Sequence, residues 1–237
     1  MANRVYVWDW PLRLFHWLLV LAIGAAYLTQ YFGAMDWHQR IGLAILGLIV
    51  FRLVWGFVGT RHARFAEFVR GPAGVLAYLR GEWRGFGHTP LGGWSVLLLL
   101  LVPLAMAASG LFANDDIAFS GLLSGWVDKS LSDQLTSLHY LGFELLLILI
   151  GLHLAAIAYY RLKRRVDLVR PMLTGWKETP EAPLEAQVSP TQGSPDSTMA
   201  GGIALALSLL VAAGAVSGVV ALQPAPPPVA TTPAPDW

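Results

Sequence analysis

Five stretches of this chain, roughly residues 12–32, 38–58, 91–111, 136–158 and 200–222, are apolar over about the twenty residues a helix needs to cross a bilayer. Hydrocarbon offers a backbone no hydrogen-bond partner, so each stretch must satisfy its own amides and carbonyls, which a helix does within one segment. The fold class that follows is all-α: an integral membrane four-helix bundle with an additional C-terminal transmembrane helix. With 55% hydrophobic and 13% charged residues and a mean hydropathy of +0.55, the composition departs from that of soluble domains in the same direction. Arginines ahead of the first stretch imitate a secretory signal, but the apolar run is too long and carries His16, so a retained helix is expected.

The charges are segregated by loop. Residues 61–90 hold Arg61, Arg64, Arg70, Arg80 and Arg84 against Glu67 and Glu82, and residues 161–170 hold Arg161, Lys163, Arg164, Arg165 and Arg170 against Asp167. Residues 112–135 instead hold Asp115, Asp116, Asp128 and Asp133 against Lys129. By the positive-inside rule the N-terminus and the two arginine-rich segments face the cytoplasm, and the aspartate-rich loop and the C-terminus face outward. The expected location is the bacterial inner membrane.

Four units are expected: a membrane domain over 1–176, a cytoplasmic linker over 177–199, an accessory helix over 200–222, and a proline-rich periplasmic tail over 223–237. The linker TPEAPLEAQVSPTQGSPDST and the tail QPAPPPVATTPAPDW are dominated by proline and small polar residues and have little to bury. The fifth apolar stretch is rich in glycine, alanine and serine, which permits close helix packing but offers nothing that ligates.

Histidines inside apolar spans are costly unless something holds them. His139 and His153 are fourteen residues apart, almost four helical turns, so their rings leave one helix on nearly the same side about 21 Å apart along its axis. With the expected orientation, His38 shares the outer depth with His139, and His16 shares the inner depth with His153. Two pairs at two depths suit bis-histidine coordination of planar haem, and a doubly ligated iron passes electrons rather than binding oxygen. Zinc would need two further ligands at each depth, and neither cysteine nor matching carboxylates are there. The absence of cysteine also excludes disulfides, iron–sulfur ligation and thioether-linked haem by this chain alone. The alternative is that these histidines are packing hydrogen bonders or proton-path residues. His62 and His88, beside the arginine-rich loop, read as ordinary interfacial residues.

Other residues extend the argument. Arg52 follows His38 by fourteen residues on the same face and either meets the propionates of the inner haem or snorkels to the interface. Arg13 and Arg40 each lie close in sequence to a candidate ligand and have similar options. Glu144 reads as a proton or quinol contact, or as a carboxylate satisfied by packing. Gly42 and Gly142, four and three residues after His38 and His139, would leave room for a porphyrin, and Gly24 and Gly151 lie near the other two ligands. Tryptophans 8, 10, 17, 37, 55, 94 and 126 cluster near span ends, as interfacial anchors do.

Several stretches together resemble the prokaryotic cytochrome b561 family, which includes the b-type subunits of nickel-iron hydrogenases and membrane cytochromes serving periplasmic cytochromes c. They are VWDWPLRLFHW at 7–17, WHQRIGLAILGLIVFRLVWGFVG at 37–59, HTPLGGW at 88–94, SGLFANDD at 109–116, and the run from Leu138 to Gly175 containing GLH and YYRLKRRVDLVRPMLTG. The resemblance covers about residues 4–176. It implies a four-helix bundle holding two non-covalent b haems, with His16, His38, His139 and His153 as iron ligands. Many members of the family place a lysine and two histidines after the last ligand, where this chain has Tyr159, Tyr160 and Arg161.

The expected function is transmembrane electron transfer between a quinone or quinol in the membrane and a periplasmic c-type cytochrome or redox enzyme, with no nucleic-acid partner. The acidic outer loop is suited to steering a positively charged partner. One alternative is a haem-bearing membrane anchor of an oxidoreductase complex such as a nickel-iron hydrogenase, in which the chain is a complex subunit or oligomer. Another is a non-haem carrier or channel.

Overall fold

The structure is a computed structural model that describes residues 3–82, 89–179 and 199–224. In chain order its helices are α1 (Trp10–Tyr31), α2 (Met35–Val58), α3 (Phe65–Phe68), α4 (Pro72–Leu79), α5 (Pro90–Gly110), α6 (Lys129–Lys163), α7 (Val169–Thr174) and α8 (Met199–Ala221). Strand β1 (Asn3–Tyr6) pairs antiparallel with β2 (Trp176–Thr179). Helices α1, α2, α5, α6 and α8 are each long and apolar enough to cross a membrane. The chain is a multi-pass membrane protein.

Local chemistry sets where these helices start. The Asp9 side chain accepts from the Leu12 amide at 2.7 Å, with Pro11 in the first turn of α1. Thr89 caps α5 through the Gly92 amide at 3.1 Å, again followed by proline, and Asp128 caps α6 through the Leu131 amide at 2.9 Å. Each cap satisfies an amide that has no partner within the helix. Gly175, at φ 88°, ends α7 in the left-handed region and turns the chain into β2.

The passes alternate in direction. One end of the bundle gathers the start of α1, the end of α2, the start of α5 and the end of α6, with their arginine-rich connections; we call it the arginine end. The opposite end carries the Asp115–Asp133 loop and is the aspartate end. Helix α2 is central, packed against α1, α5 and α8, while α6 packs against α5. The buried core joins Leu12 and Phe15 of α1, Phe51 and Trp55 of α2, Leu100 of α5, and Ala204 and Ala212 of α8. Helices α1 and α6 are not a closely packed pair; Tyr27 stacks on Phe143 across the space between them, with ring centres 5.8 Å apart.

Several expectations need correction. The linker does not begin at 177, because residues 176–179 form a strand whose backbone pairs with residues 3–6. The rest of the linker, 180–198, and the tail from 225 lie outside the described residues, as does His88. Helix α8 packs against α2, with Ser208 fully buried, and the Trp126 indole donates to the Leu222 carbonyl at 2.7 Å. The tryptophans are not only an interfacial belt. Trp55 is buried and donates to Asp9, Trp17 donates to the Met172 carbonyl, and Trp94 donates to the Arg70 carbonyl.

Candidate functional site: two histidine levels

At the aspartate end, α2 and α6 bring His38 and His139 together, with ring centres 6.1 Å apart and planes at 74°. His38 Nδ1 lies 2.9 Å from the Ala26 carbonyl of α1, and His139 Nδ1 lies 2.8 Å from the Met106 carbonyl of α5. A carbonyl only accepts, so each Nδ1 carries the proton and each Nε2 keeps its lone pair. Backbone groups of two further helices therefore fix the tautomer and orientation of both rings, the arrangement that supports a metal-bound imidazole. Gly110 makes this packing possible, since a Cβ there would sit 3.1 Å from the His139 ring.

Above this pair the aspartate-rich loop is braced onto the turn of α6 that precedes His139. The Asn114 amide donates to Thr136 Oγ1 at 3.1 Å, its side-chain nitrogen donates to Ser132 at 2.6 Å, and Ser132 donates to the Phe112 carbonyl at 2.6 Å. The Asp115 carboxylate accepts from the amides of Ile117, Ala118 and Phe119, which holds it below the ordinary aspartate range. The Asp133 carboxyl is likewise held low, first by the Asn114 side chain and then by Lys129. Lys129 bridges Asp116 and Asp133 at 2.6 and 3.0 Å, and these contacts push its ammonium above its usual value. Much of the loop's acidity is thus spent internally.

At the arginine end, His16 of α1 and His153 of α6 are close enough to interact electrostatically, and both are half-buried. His16 stands edge-on to Trp17, ring centres 5.0 Å apart. Its Nδ1 is buried without a hydrogen-bond partner. Arg52 does not snorkel: it is 1% exposed, its guanidinium lies 4.8 Å from the centre of the Phe65 ring, and its Nη1 is buried and unpaired. Arg13 donates to the Leu173 carbonyl at 2.6 Å while its Nε is also buried and unpaired. Among the described residues these three atoms are the buried side-chain nitrogens left without a partner, and all three belong to this end of the bundle. Asp9, itself 2% exposed, interacts electrostatically with Arg52 and accepts from the Trp55 indole and the Thr60 hydroxyl.

The aspartate-end pair fits a haem in its spacing, and the arginine end offers the same donor type together with unpaired buried cations. Two imidazoles on opposite sides of one metal place their ring centres about 6 Å apart, two bonds of about 2 Å plus the two half-rings, which is the separation found for His38 and His139. Unpaired buried guanidinium nitrogens match the carboxylates that such a group carries, since a buried cation is costly without an anion. Gly24, Gly42 and Gly151 face open space, with no atom within 4 Å of an added Cβ. Gly142 does not contribute such space, because an added Cβ would lie 2.6 Å from Met106; it serves the α5–α6 contact. Glu144 is exposed on α6 rather than packed, and Arg40 lies over the Trp37 ring at 5.2 Å.

A bundle of this kind, with paired histidines between its helices, defines a class of membrane cytochrome. The pattern of the prokaryotic cytochrome b561 family matches residues 7–175, and the chain belongs to that family. Membership implies a b-type haem and a role in electron transport. The chain is 26% identical over 218 residues to a probable Ni/Fe-hydrogenase B-type cytochrome subunit of Azotobacter chroococcum mcd 1, covering 74% of this chain and 89% of that protein. It is 24% identical over 213 residues to the corresponding protein of Rhizobium leguminosarum bv. viciae, covering 73% and 88%. With a probable Ni/Fe-hydrogenase 1 B-type cytochrome subunit of Escherichia coli K12 the identity is 23% over 138 residues, 44% of this chain and 58% of that one. No solved structure gives a significant match.

The residues that sequence reasoning missed are the supports. The carbonyls of Ala26 and Met106 carry no side-chain signal, and Asp9 entered the sequence reading only as part of the stretch at 7–17.

Proposed function

We propose that the chain conducts electrons across the membrane through two b haems, one between His38 and His139 and one between His16 and His153. Haem supplies the one-electron chemistry, and the chain performs no bond making of its own. Its residues would hold the group and set its surroundings: four imidazoles at two depths as iron ligands, backbone carbonyls that fix two of them, and Arg52 as the counter-charge to propionates at the arginine end. The 6.1 Å approach of His38 and His139, each with Nδ1 committed to a carbonyl, carries this reading. Membrane quinone is the electron carrier on one side, and a periplasmic redox protein docked at the aspartate end is the partner on the other. The arginine end then faces the cytoplasm, in the inner membrane, an orientation that the loop charges support. Purified protein is expected to show reduced-minus-oxidised b-type bands and a haem-to-chain ratio near two. A ratio near one, or no Soret band, overturns the two-level reading.

The relatives favour a second reading of the same electron path, in which the chain is the membrane subunit of an oxidoreductase complex. The proteins it resembles over most of their length are named as hydrogenase cytochrome subunits. Under this reading, gentle solubilisation and affinity capture recover a cofactor-bearing partner in fixed ratio, whereas an independently acting cytochrome is recovered alone.

A further inference from the structure

The connection between α2 and α5 is built as a shelf. Phe65 of α3 lies so close to α2 that a Cβ on Gly56 would meet its ring at 2.1 Å, and the Phe68 carbonyl lies so close to α5 that a Cβ on Gly93 would meet it at 2.8 Å. Two glycines on different helices thus receive one short helix, which roofs the cleft between them at the arginine end. The Trp94 indole donates to the Arg70 carbonyl at 3.0 Å, and the Tyr78 and Tyr160 hydroxyls meet at 2.5 Å, tying the rest of the shelf to α5 and α6.

Beneath α3 the cleft remains hollow. An open groove of about 460 Å³, bounded by Leu53 and Phe57 of α2, Phe65 and Val69 of the shelf, and Leu97 and Leu101 of α5, is lined by apolar residues. A second apolar hollow of about 440 Å³ lies beside α4, against Leu91 and Trp94. Trp94, Leu97 and Leu101 recur at helical spacing on α5, so one stripe of that helix serves both. Neither lining includes a histidine, which separates these hollows from the two levels described above. Arg64 adjoins Phe65 and Arg80 adjoins Leu79, and both arginines are exposed.

An apolar hollow within the bilayer, roofed at the interface by a shelf that carries exposed cations, is complementary to one ligand chemistry: an acyl chain below and an anionic headgroup above. The geometry points to a binding site for an acidic phospholipid, its chain lying along Trp94, Leu97 and Leu101 and its headgroup drawn to the exposed arginines of the shelf, Arg64 beside the first hollow and Arg80 beside the second. This site is independent of whether the histidines hold haem.

The test is native mass spectrometry of the full-length purified protein, stripped of lipid and then offered phosphatidylglycerol or phosphatidylcholine of identical chains at equal concentration. One phosphatidylglycerol is expected to be retained in preference to phosphatidylcholine. The preference is expected to fall about fivefold with each of Arg64→Gln and Arg80→Gln. Leu97→Trp, which fills the hollow, is expected to abolish retention while leaving helix content and monodispersity unchanged; Leu101→Phe gives the same readout should the first variant misfold. Equal retention of the two lipids, undiminished retention after the hollow is filled, or displacement of the phospholipid by an added isoprenoid quinone overturns the proposal.

Discussion

At the aspartate end both imidazoles are tied to carbonyls of neighbouring helices, whereas at the arginine end His16 keeps a buried, unbonded Nδ1, and the same end holds the buried Arg52 guanidinium and the buried Nε of Arg13. The first level is organised by the backbone before any ligand arrives. The second is organised around positive charge, partly offset by Asp9. Two sites of the same donor type therefore differ in what sets them: orientation in one, electrostatics in the other. A low-dielectric surrounding magnifies that difference, because charge acts over longer range there than in water.

The widest break of the comparison is ligand removal. His38→Ala and His139→Ala are each expected to lose the same half of the haem, and His16→Ala and His153→Ala the other half, read by pyridine haemochrome and by redox titration. If His16→Ala removes the component lost with His139→Ala, the two levels are not separate sites. Next in size, Gly110→Val places a methyl against the His139 ring, and overpacking of this kind costs about 1–3 kcal/mol. Its effect should fall on the aspartate-end component alone, as lowered haem retention or an altered spectrum.

Arg52→Gln sharpens the other side. A unit charge about 8 Å away at an effective dielectric near 20 is worth about 2 kcal/mol, about 90 mV for one electron. The arginine-end potential is expected to fall by that amount while the aspartate-end potential stays fixed. An equal shift of both would mean that the charge is not local to one level.

The smallest effect concerns the braced loop and follows pH. Asp115 and Asp133 have lowered folded values, so their contribution is present above the unfolded value of about 3.9 and is lost as pH falls through the folded ones. Lys129 has a raised value, so its contribution is complete below about 10.4 and is lost as pH rises through the folded value. Amide shifts of Ile117–Phe119 are expected to change at the acid edge, and Asp115→Asn is expected to produce the change at neutral pH. The arginine-end component should not respond to either.

Hydropathy made the passes legible because lipid enforces one backbone solution on each apolar run. The stretch read as 136–158 is the exception that shows the limit: α6 extends over Lys129–Lys163, because Asp128 caps it and polar turns continue the helix at both ends of the span. The shelf of α3 and α4 was invisible, since four- and eight-residue helices lack a period long enough to recognise. Histidine spacing was readable as depth along a helix. The carbonyls that orient the rings were not, because every residue owns one and only packing selects which is used. Arg52 was ambiguous for a related reason: sequence places it near a helix end, where an arginine reaches the interface or turns inward, and the Phe65 ring and Asp9 decide which.

Both histidine levels borrow one member from α6, and at the arginine end α1, already packed on α2, gains further contacts that come much later in the chain: Arg13 and Trp17 reach carbonyls of α7, and β1 waits for β2. During synthesis, then, three passes enter the membrane with His16 and His38 lacking their counterparts. The fourth completes both levels within one helix length, so under the proposed reading haem would load late, and a chain truncated before α6 is expected to insert yet to retain no haem.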